Sequence, residues 1–162
     1  MDTQVTAAEP FVRASGAGAA LNVLGVTHVY KATGEETAGS FSLWEAEVPP
    51  GAGPPPHTHT REDEAFYVLS GELLFELEGD PAPHRVSKGG FVFGARGRRH
   101  AFRNAGEQPV RMLILSAPSC GLDRMFAELD AATAGGMPEA EKLMAITARY
   151  GVIIEPPAVQ HG

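Results

Sequence analysis

The sequence predicts an all-β barrel or sandwich followed by two short α-helices. Short apolar runs rich in β-branched and aromatic residues recur through most of the chain, and glycines and prolines separate them. Their number and spacing are typical of a closed or two-layered β architecture. Near residue 120 the apolar period changes from about 2 to about 3.6, which predicts helices. Because no linker interrupts the 162 residues, we expect one domain.

The N-terminal part contains the first two predicted strands. Residues 1–18 are small and polar and are expected to be flexible. Residues 20–32 (ALNVLGVTHVYKA) are rich in β-branched side chains and are predicted as a strand. Residues 40–48 (SFSLWEAEV) follow as an alternating segment with glutamates at 45 and 47. We place the barrel at residues 19–118.

The strongest period-two pattern lies at residues 64–80 (EAFYVLSGELLFELEGD), which are predicted as a hairpin with Ser70-Gly71 as its turn. After this turn, apolar side chains alternate with glutamates, as in a half-buried strand. Further short strands are predicted in FVFGA (91–95), HAFRN (100–104) and VRMLILSAP (110–118).

A C-terminal extension, residues 119–162, carries the two predicted helices. GLDRMFAELDAATA (121–134) has an apolar stripe at helical spacing, formed by Leu122, Met125, Phe126 and Leu129. PEAEKLMAITARYG (138–151) begins with proline, carries early acids and ends at glycine, which are helix-boundary signals. Both helices are expected to pack on the barrel, because it offers the large apolar surface that they need.

Composition excludes several classes of function. The net charge of −7 argues against nucleic-acid binding, and the only dense basic patch is RGRRH at 96–100. No apolar run is long enough to predict a membrane span, and the N-terminus lacks the apolar region of a signal peptide. A single cysteine, Cys120, leaves no internal disulfide. These features predict a cytoplasmic protein.

A metal site is indicated by the spacing of four side chains. His57 and His59 are two residues apart, so on an extended segment they project to the same side. Glu64 lies five residues after His59, so on one continuous strand its side chain would point to the opposite face. The polar segment TREDE must therefore interrupt the strand if Glu64 is to point to the same side as the histidines. His100 shares a predicted strand face with Phe102 and is a candidate fourth ligand. Imidazole and carboxylate are ligands for borderline divalent cations, although two histidines in a proline-rich loop are often only surface residues.

The same residues resemble the two sequence motifs of the cupin superfamily. The first motif is glycine, five residues, H-x-H, three or four residues, glutamate, six residues and glycine, and it is met by Gly51, His57, His59, Glu64 and Gly71. The second is matched by Gly89, Gly97, His100 and Asn104, with Ala95 at the place of the usual proline. The resemblance extends over about residues 40–117. Within the superfamily, this segment resembles small bacterial quercetin-dioxygenase-like cupins.

This resemblance implies a jelly-roll barrel, a double-stranded β-helix, that holds one divalent transition metal ion (Fe, Mn, Ni, Cu or Zn). His57, His59, Glu64 and His100 would be its ligands, and Glu64 would double as general base. Apolar side chains that share faces with the ligands predict a pocket for a flat or apolar organic molecule, formed by Phe66, Val68 and Phe102.

Three functions are compatible with this site. The first is a metal-dependent dioxygenase acting on an aromatic or enolic small molecule. The second is a metal-dependent isomerase or cyclase of a similar substrate, and the third is a non-enzymatic module that binds a small molecule. The fold alone does not choose among them.

Other polar residues are weaker candidates, and one segment predicts assembly. His28 lies in a β-branched run and is expected to be a packed or cross-strand histidine, while His84 and His161 are expected at the surface. Cys120 is expected to be an inert thiol. Arginines 96, 98 and 99 could attract an anionic substrate, although a solvated turn is the simpler interpretation. The apolar segment 20–30 is a candidate edge for a homodimer.

Overall fold

A computed structural model describes residues 7–155, which form eleven strands and two helices. The strands are β1 (Ala20–Val23), β2 (Val26–Ala32), β3 (Ser42–Val48), β4 (His57–His59), β5 (Asp63–Ser70), β6 (Glu72–Leu77), β7 (His84–Ser87), β8 (Phe91–Gly94), β9 (His100–Arg103), β10 (Val110–Ala117) and β11 (Val152–Ile154). The helices are α1 (Leu122–Thr133) and α2 (Ala140–Arg149).

Two antiparallel sheets make up the barrel. One has the strand order β1-β2-β3-β10-β5-β8, and the other has the order β11-β4-β9-β6-β7. Along each long strand, alternate side chains are buried between the sheets, as the period-two patterns predicted. Fully buried members of this core are Trp44, Phe66, Leu73, Phe75 and Met112. The predicted fold class, a jelly-roll barrel with two C-terminal helices, is confirmed.

The segment predicted as a single strand at residues 20–32 is instead a hairpin of β1 and β2. Leu24 and Gly25, with φ of 52° and 85°, form the two-residue turn. Two consecutive positive φ values give a turn whose twist matches antiparallel strands. The prediction was wrong because leucine is unusual in that conformation, so only Gly25 signalled a turn.

The turn at Ser70-Gly71 is present, but the strands that it joins do not form the predicted hairpin. β5 pairs with β10 and β8, whereas β6 pairs with β7 and β9, so the chain crosses from one sheet to the other at this turn. Gly71 has a φ of 77°, and a Cβ there would lie 2.7 Å from Val110 Cγ2. A barrel corner and a hairpin need the same local turn residues, and only the distant partners distinguish them.

The two predicted helices are present and pack on the barrel. α1 lies along β1, where the Asn22 amide donates a hydrogen bond to Asp130 Oδ1 at 2.9 Å. The predicted apolar stripe of α1 is buried, and Ile146 of α2 is also buried. Neither helix of the described chain is long and apolar enough to cross a membrane. The sequence did not predict β11, which follows α2 and pairs with β4.

Part of the predicted N-terminal segment, residues 1–6, lies outside the described residues, as does His161. The division of the chain at residues 18 and 118 stays a prediction. Because β11 returns to the sheet of β4, residues 119–162 contribute a strand as well as helices.

Candidate metal centre

Three strands bring the four predicted ligands together. His57 and His59 lie on β4, and His57 faces His100 of the neighbouring strand β9 in the sheet register. Glu64 reaches them from β5 in the opposite sheet. Between β4 and β5, residues 60–62 leave the strand conformation, so the alternation restarts and Glu64 points inward with Phe66. The expected change of phase is therefore present.

The ligand atoms of these four side chains all lie within 4.8 Å of one another. Glu64 Oε2 is 3.0 Å from His59 Nε2 and 2.9 Å from His100 Nε2. The rings of His59 and His100 are nearly parallel, at 8° between planes, whereas His57 is turned edge-on to both. All four residues are buried. They form a cluster that could hold a metal ion.

The Nδ1 atom of each histidine faces an oxygen atom outside the cluster. His57 Nδ1 lies 2.8 Å from the Pro55 carbonyl oxygen, His59 Nδ1 lies 2.5 Å from Glu62 Oε1, and His100 Nδ1 lies 3.4 Å from the Arg98 carbonyl oxygen. Because a carbonyl oxygen can only accept, Nδ1 of His57 carries the proton and Nε2 keeps its lone pair. Three Nε2 atoms and one carboxylate, held in this way, fit a divalent cation.

Glu62 is a site residue that the sequence reasoning missed. Its side chain is fully buried and accepts the bond from His59 at 2.5 Å. Within the described residues, its second oxygen, Oε2, has no hydrogen-bond partner. A carboxylate behind a ligating histidine orients the ring and strengthens it as a ligand. The available signal was the first acid of HTHTREDE, three residues after His59.

Gly94 makes room for His100. It pairs with Glu64 across β5 and β8, and a Cβ there would lie 3.1 Å from His100 Cε1. That contact is tighter than side chains normally adopt, so a larger residue would displace the imidazole. A glycine inside a strand is a sign of such close approach.

Electrostatics in the cluster favour a protonated His59 when no ion is bound. Burial, together with His59 and His100, lowers the pKa of His57 to about 4. Burial also opposes charge on His59, but the Glu64 and Glu62 carboxylates raise its pKa to about 10. Although burial favours the neutral acid, His59 and His100 hold the pKa of Glu64 well below its usual value. A bound cation would therefore replace a proton on His59.

An apolar cavity opens beside the cluster. His57, His59 and Glu64 form part of its wall, and most of the remaining wall is aliphatic or aromatic. Phe66 and Phe102, two of the predicted pocket residues, line this cavity. Val68 is buried but is not among the lining residues, because it lies two positions further along β5, opposite Met112. The role of these three residues in binding a substrate stays a prediction.

The C-terminal extension completes the cavity. Met125, Phe126 and Leu129 of α1 line it, together with Val152 and Ile154 of β11. The α1 residues were predicted only as an apolar stripe packed on the barrel, and the β11 residues were not predicted to have any role. Helix α1 and strand β11 therefore form part of the cavity wall as well as packing on the barrel.

The other polar candidates lie away from the cluster or have structural partners. Asn104 is fully buried and its amide donates to the Val48 and Gln108 carbonyl oxygens, which fixes the turn after β9. His84 is exposed and lies 2.6 Å from Asp80 Oδ2. Cys120 is partly exposed, and burial raises its thiol pKa.

The three arginines of the basic patch are paired with acids at the surface. Arg96 binds Asp63 at 2.7 Å, while Arg98 and Arg99 lie within 4 Å of Glu78 and Glu155, respectively. None of the three lines the cavity. This arrangement agrees with a solvated turn rather than an anion-binding wall.

Comparisons with known proteins show what the barrel is similar to. Residues 44–116 match the cupin domain family. The tetracenomycin polyketide synthase protein TcmJ of Streptomyces glaucescens is 30% identical over 81 residues, which are 50% of this chain and 53% of TcmJ. The chain thus spans about half the length of the curated relatives that it matches.

Solved structures show the same fold. The polyketide cyclase RemF from Streptomyces resistomycificus superposes with a TM-score of 0.56 at 26% identity, covering 67% of this chain and 78% of RemF. A predicted oxalate decarboxylase from Thermotoga maritima gives a TM-score of 0.60 at 22% identity, covering 67% of this chain and 99% of that protein. The barrel is therefore similar in sequence to the cupin domain family over residues 44–116, and it shares its fold with these solved structures.

Proposed function

We propose that this protein is a metal-dependent enzyme that moves a proton on an enolic or aromatic small molecule, as a cyclase or isomerase does. The observation that carries the proposal is the position of Glu64. Its carboxylate lies about 3 Å from two imidazole Nε2 atoms and also forms part of the wall of the apolar cavity. A base placed between a cation site and an apolar binding space is suited to removing a proton from a bound ligand.

Each part of the site has a role in this proposal. His57, His59, Glu64 and His100 would hold the cation, which would polarise a carbonyl or enol oxygen of the substrate. Glu64 would accept the proton. Phe66 and Phe102, whose ring centroids lie 5.9 Å apart, offer aromatic surface to a flat ligand. The apolar walls limit water near the carboxylate.

The relatives support this class of substrate. RemF is described as a polyketide cyclase and TcmJ as a polyketide synthase protein, and polyketides carry many enolisable carbonyl groups. The activity of either relative is transferred to this chain only as part of the proposal.

A dioxygenase, the function that the sequence first suggested, is the second candidate. Three imidazoles and one carboxylate also suit redox-active metals such as Fe, Mn, Ni and Cu. The two chemistries differ in their use of dioxygen, which a cyclase or isomerase does not consume.

The test is solvent exchange. The protein is loaded separately with Zn²⁺, Mn²⁺, Fe²⁺ and Ni²⁺ and incubated in D₂O with a panel of 1,3-diketones and flavonols, and NMR follows deuterium incorporation. We expect catalysed exchange in the wild type and a loss of about 100-fold or more per bound metal in Glu64→Gln. Glu47→Gln, which removes an exposed carboxylate from the outer face of β3, is the control and should exchange normally.

The outcomes separate the candidates. Dioxygen consumed in proportion to product would favour the dioxygenase. Ligand binding without exchange or turnover in any metal form would contradict both enzymes and favour a binding module. Full exchange by metal-loaded Glu64→Gln would remove Glu64 from the role of base.

A further inference from the structure

His28 lies on the wall of the same cavity as the metal cluster, but on the opposite sheet from the histidines of that cluster. It belongs to β2, where it faces Ala46 of β3, and its side chain points into the barrel. The residue is 5% exposed and lines the cavity together with Glu64. The sequence predicted a packed histidine, and the structure adds that this packed ring borders the binding space.

The orientation of the imidazole is fixed by its neighbours. Nδ1 lies 3.1 Å from the Val26 carbonyl oxygen, and the ring contacts Phe126 and Trp44 at centroid distances of 5.0 and 6.0 Å. Because the carbonyl can only accept, Nδ1 carries the proton and Nε2 keeps its lone pair. Among the described residues, the contact of Nδ1 with the Val26 carbonyl oxygen is the one hydrogen bond found for this ring, and His28 lines the cavity.

The ring is also kept neutral. Burial lowers the pKa of His28 to about 4, while the Val26 carbonyl and Glu64 oppose this shift only partly. An imidazole of this kind is a poor base at neutral pH, yet it is a good hydrogen-bond acceptor. An acceptor on the wall of a binding cavity that has no protein partner selects ligands that supply a donor.

We propose that His28 is a specificity-determining residue, whose Nε2 accepts a hydrogen bond from a hydroxyl group of the ligand. The ligand class is therefore a hydroxylated aromatic compound with one oxygen group at the metal cluster and a separate hydroxyl group that reaches β2. No covalent bond is formed or broken in this contact. The inference rests on the proposed function insofar as it requires an organic ligand in the cavity.

The experiment measures binding rather than turnover. Zn²⁺-loaded protein is titrated with 3-hydroxyflavone and with isomers that carry one additional ring hydroxyl group, and fluorescence gives each Kd. We expect at least one isomer to bind about tenfold tighter than the parent compound. His28→Phe should abolish this gain, because phenylalanine keeps the ring but offers no acceptor. His28→Gln should retain part of the gain through its amide oxygen.

Two further measurements keep the result interpretable. His84→Phe changes an exposed histidine outside the cavity and should bind all compounds as the wild type does. In the wild type, long-range ¹H–¹⁵N NMR should show His28 protonated at Nδ1, with an Nε2 signal that shifts when the preferred isomer is added. The NMR result decides the question even if His28→Phe does not fold.

The outcomes are distinct from those of the proposed function. The contact would be refuted if His28→Phe showed the same gain in affinity as the wild type. It would also be refuted if the chemical shift of Nε2 did not change when the preferred isomer binds. Catalysed exchange without any preference among isomers would refute the contact and leave the proposed function standing. A preference that depends on His28, in a protein that exchanges no substrate, would support the contact and contradict the enzyme.

Discussion

Replacing Glu62 should weaken metal binding although Glu62 is not among the four candidate ligands. Its carboxylate is fully buried and accepts a hydrogen bond from His59 Nδ1 at 2.5 Å. Glu62→Gln keeps the size of the side chain and an acceptor oxygen but removes the negative charge. Glu62→Ala removes the acceptor as well.

The expected magnitude follows from this geometry. Loss of a carboxylate behind a ligating histidine typically lowers metal affinity about 10- to 100-fold. A charge-assisted hydrogen bond is roughly twice as strong as a neutral one. Because Glu62→Gln keeps a neutral hydrogen bond and loses only the contribution of the charge, its metal affinity should fall about tenfold, or about 1.4 kcal/mol. Glu62→Ala should lie near the upper limit, at about 100-fold or about 2.7 kcal/mol.

Competition between the protein and a chromophoric chelator for Zn²⁺ at pH 7.5 measures these affinities. The matched control is Asp63→Asn, which makes the same change in net charge one residue away, where the carboxylate pairs with Arg96 at the surface. Asp63→Asn should bind Zn²⁺ within about twofold of the wild type, because exposed ion pairs contribute little. Equal affinities for Glu62→Gln and Asp63→Asn would refute the reasoning, since the effect would then be one of net charge alone.

Three further predictions address the ligands, the buried histidine and the assembly. The double variant His57→Ala/His59→Ala should fold and lose most of its bound metal, and full occupancy by elemental analysis would contradict the ligand set. In metal-free protein, the free energy of unfolding of the wild type should fall by about 3 kcal/mol more than that of His28→Phe between pH 6.5 and pH 4. The reason is that burial lowers the pKa of His28 to about 4, so the unfolded chain binds the proton at a higher pH than the folded chain does. Urea unfolding at both pH values measures this difference, and equal losses would show that His28 titrates normally. Light scattering of a homodimer should give a mass twice the 17.1 kDa of one chain. The edge at residues 20–30 is packed against α1, so we propose edge strand β8 as the interface, where Phe91 and Phe93 are more than half exposed. Phe91→Glu/Phe93→Glu should therefore reduce the mass to that of one chain. An unchanged dimer would exclude this face, and a monomeric wild type would exclude the dimer.

Most of the ligand cluster could be predicted from the sequence because three of its four residues lie close together along the chain. His57 and His59 share a side through the two-residue period of a strand, and the polar bend before Glu64 changes the phase. His100 was a candidate from its predicted strand face, and the resemblance of its surrounding motif to a known family placed it in the ligand set. The structure places all four ligand atoms within 4.8 Å.

Strand pairing was much less predictable. The turn at Ser70-Gly71 was correctly placed, but its two strands belong to different sheets. The strand β11 was missed because VII at 152–154 is too short to give a pattern, and its pairing with β4 comes from a segment more than ninety residues away. Backbone hydrogen bonds between strands do not depend on the identity of the side chains. A local pattern therefore predicts a strand without predicting which strands lie beside it.

By itself, the sequence determined the β-rich class, the helical C-terminus and the histidine–glutamate set, since each depends on periodicity or on spacing along a short segment. Only the tertiary structure decided that Glu62 lies behind His59 and that His28 shares a cavity with Glu64. It also decided that α1 and β11 form part of that cavity wall. The physical reason is that burial, hydrogen-bond partners and pKa depend on which distant residues exclude water from a side chain, and closure of the barrel fixes those residues.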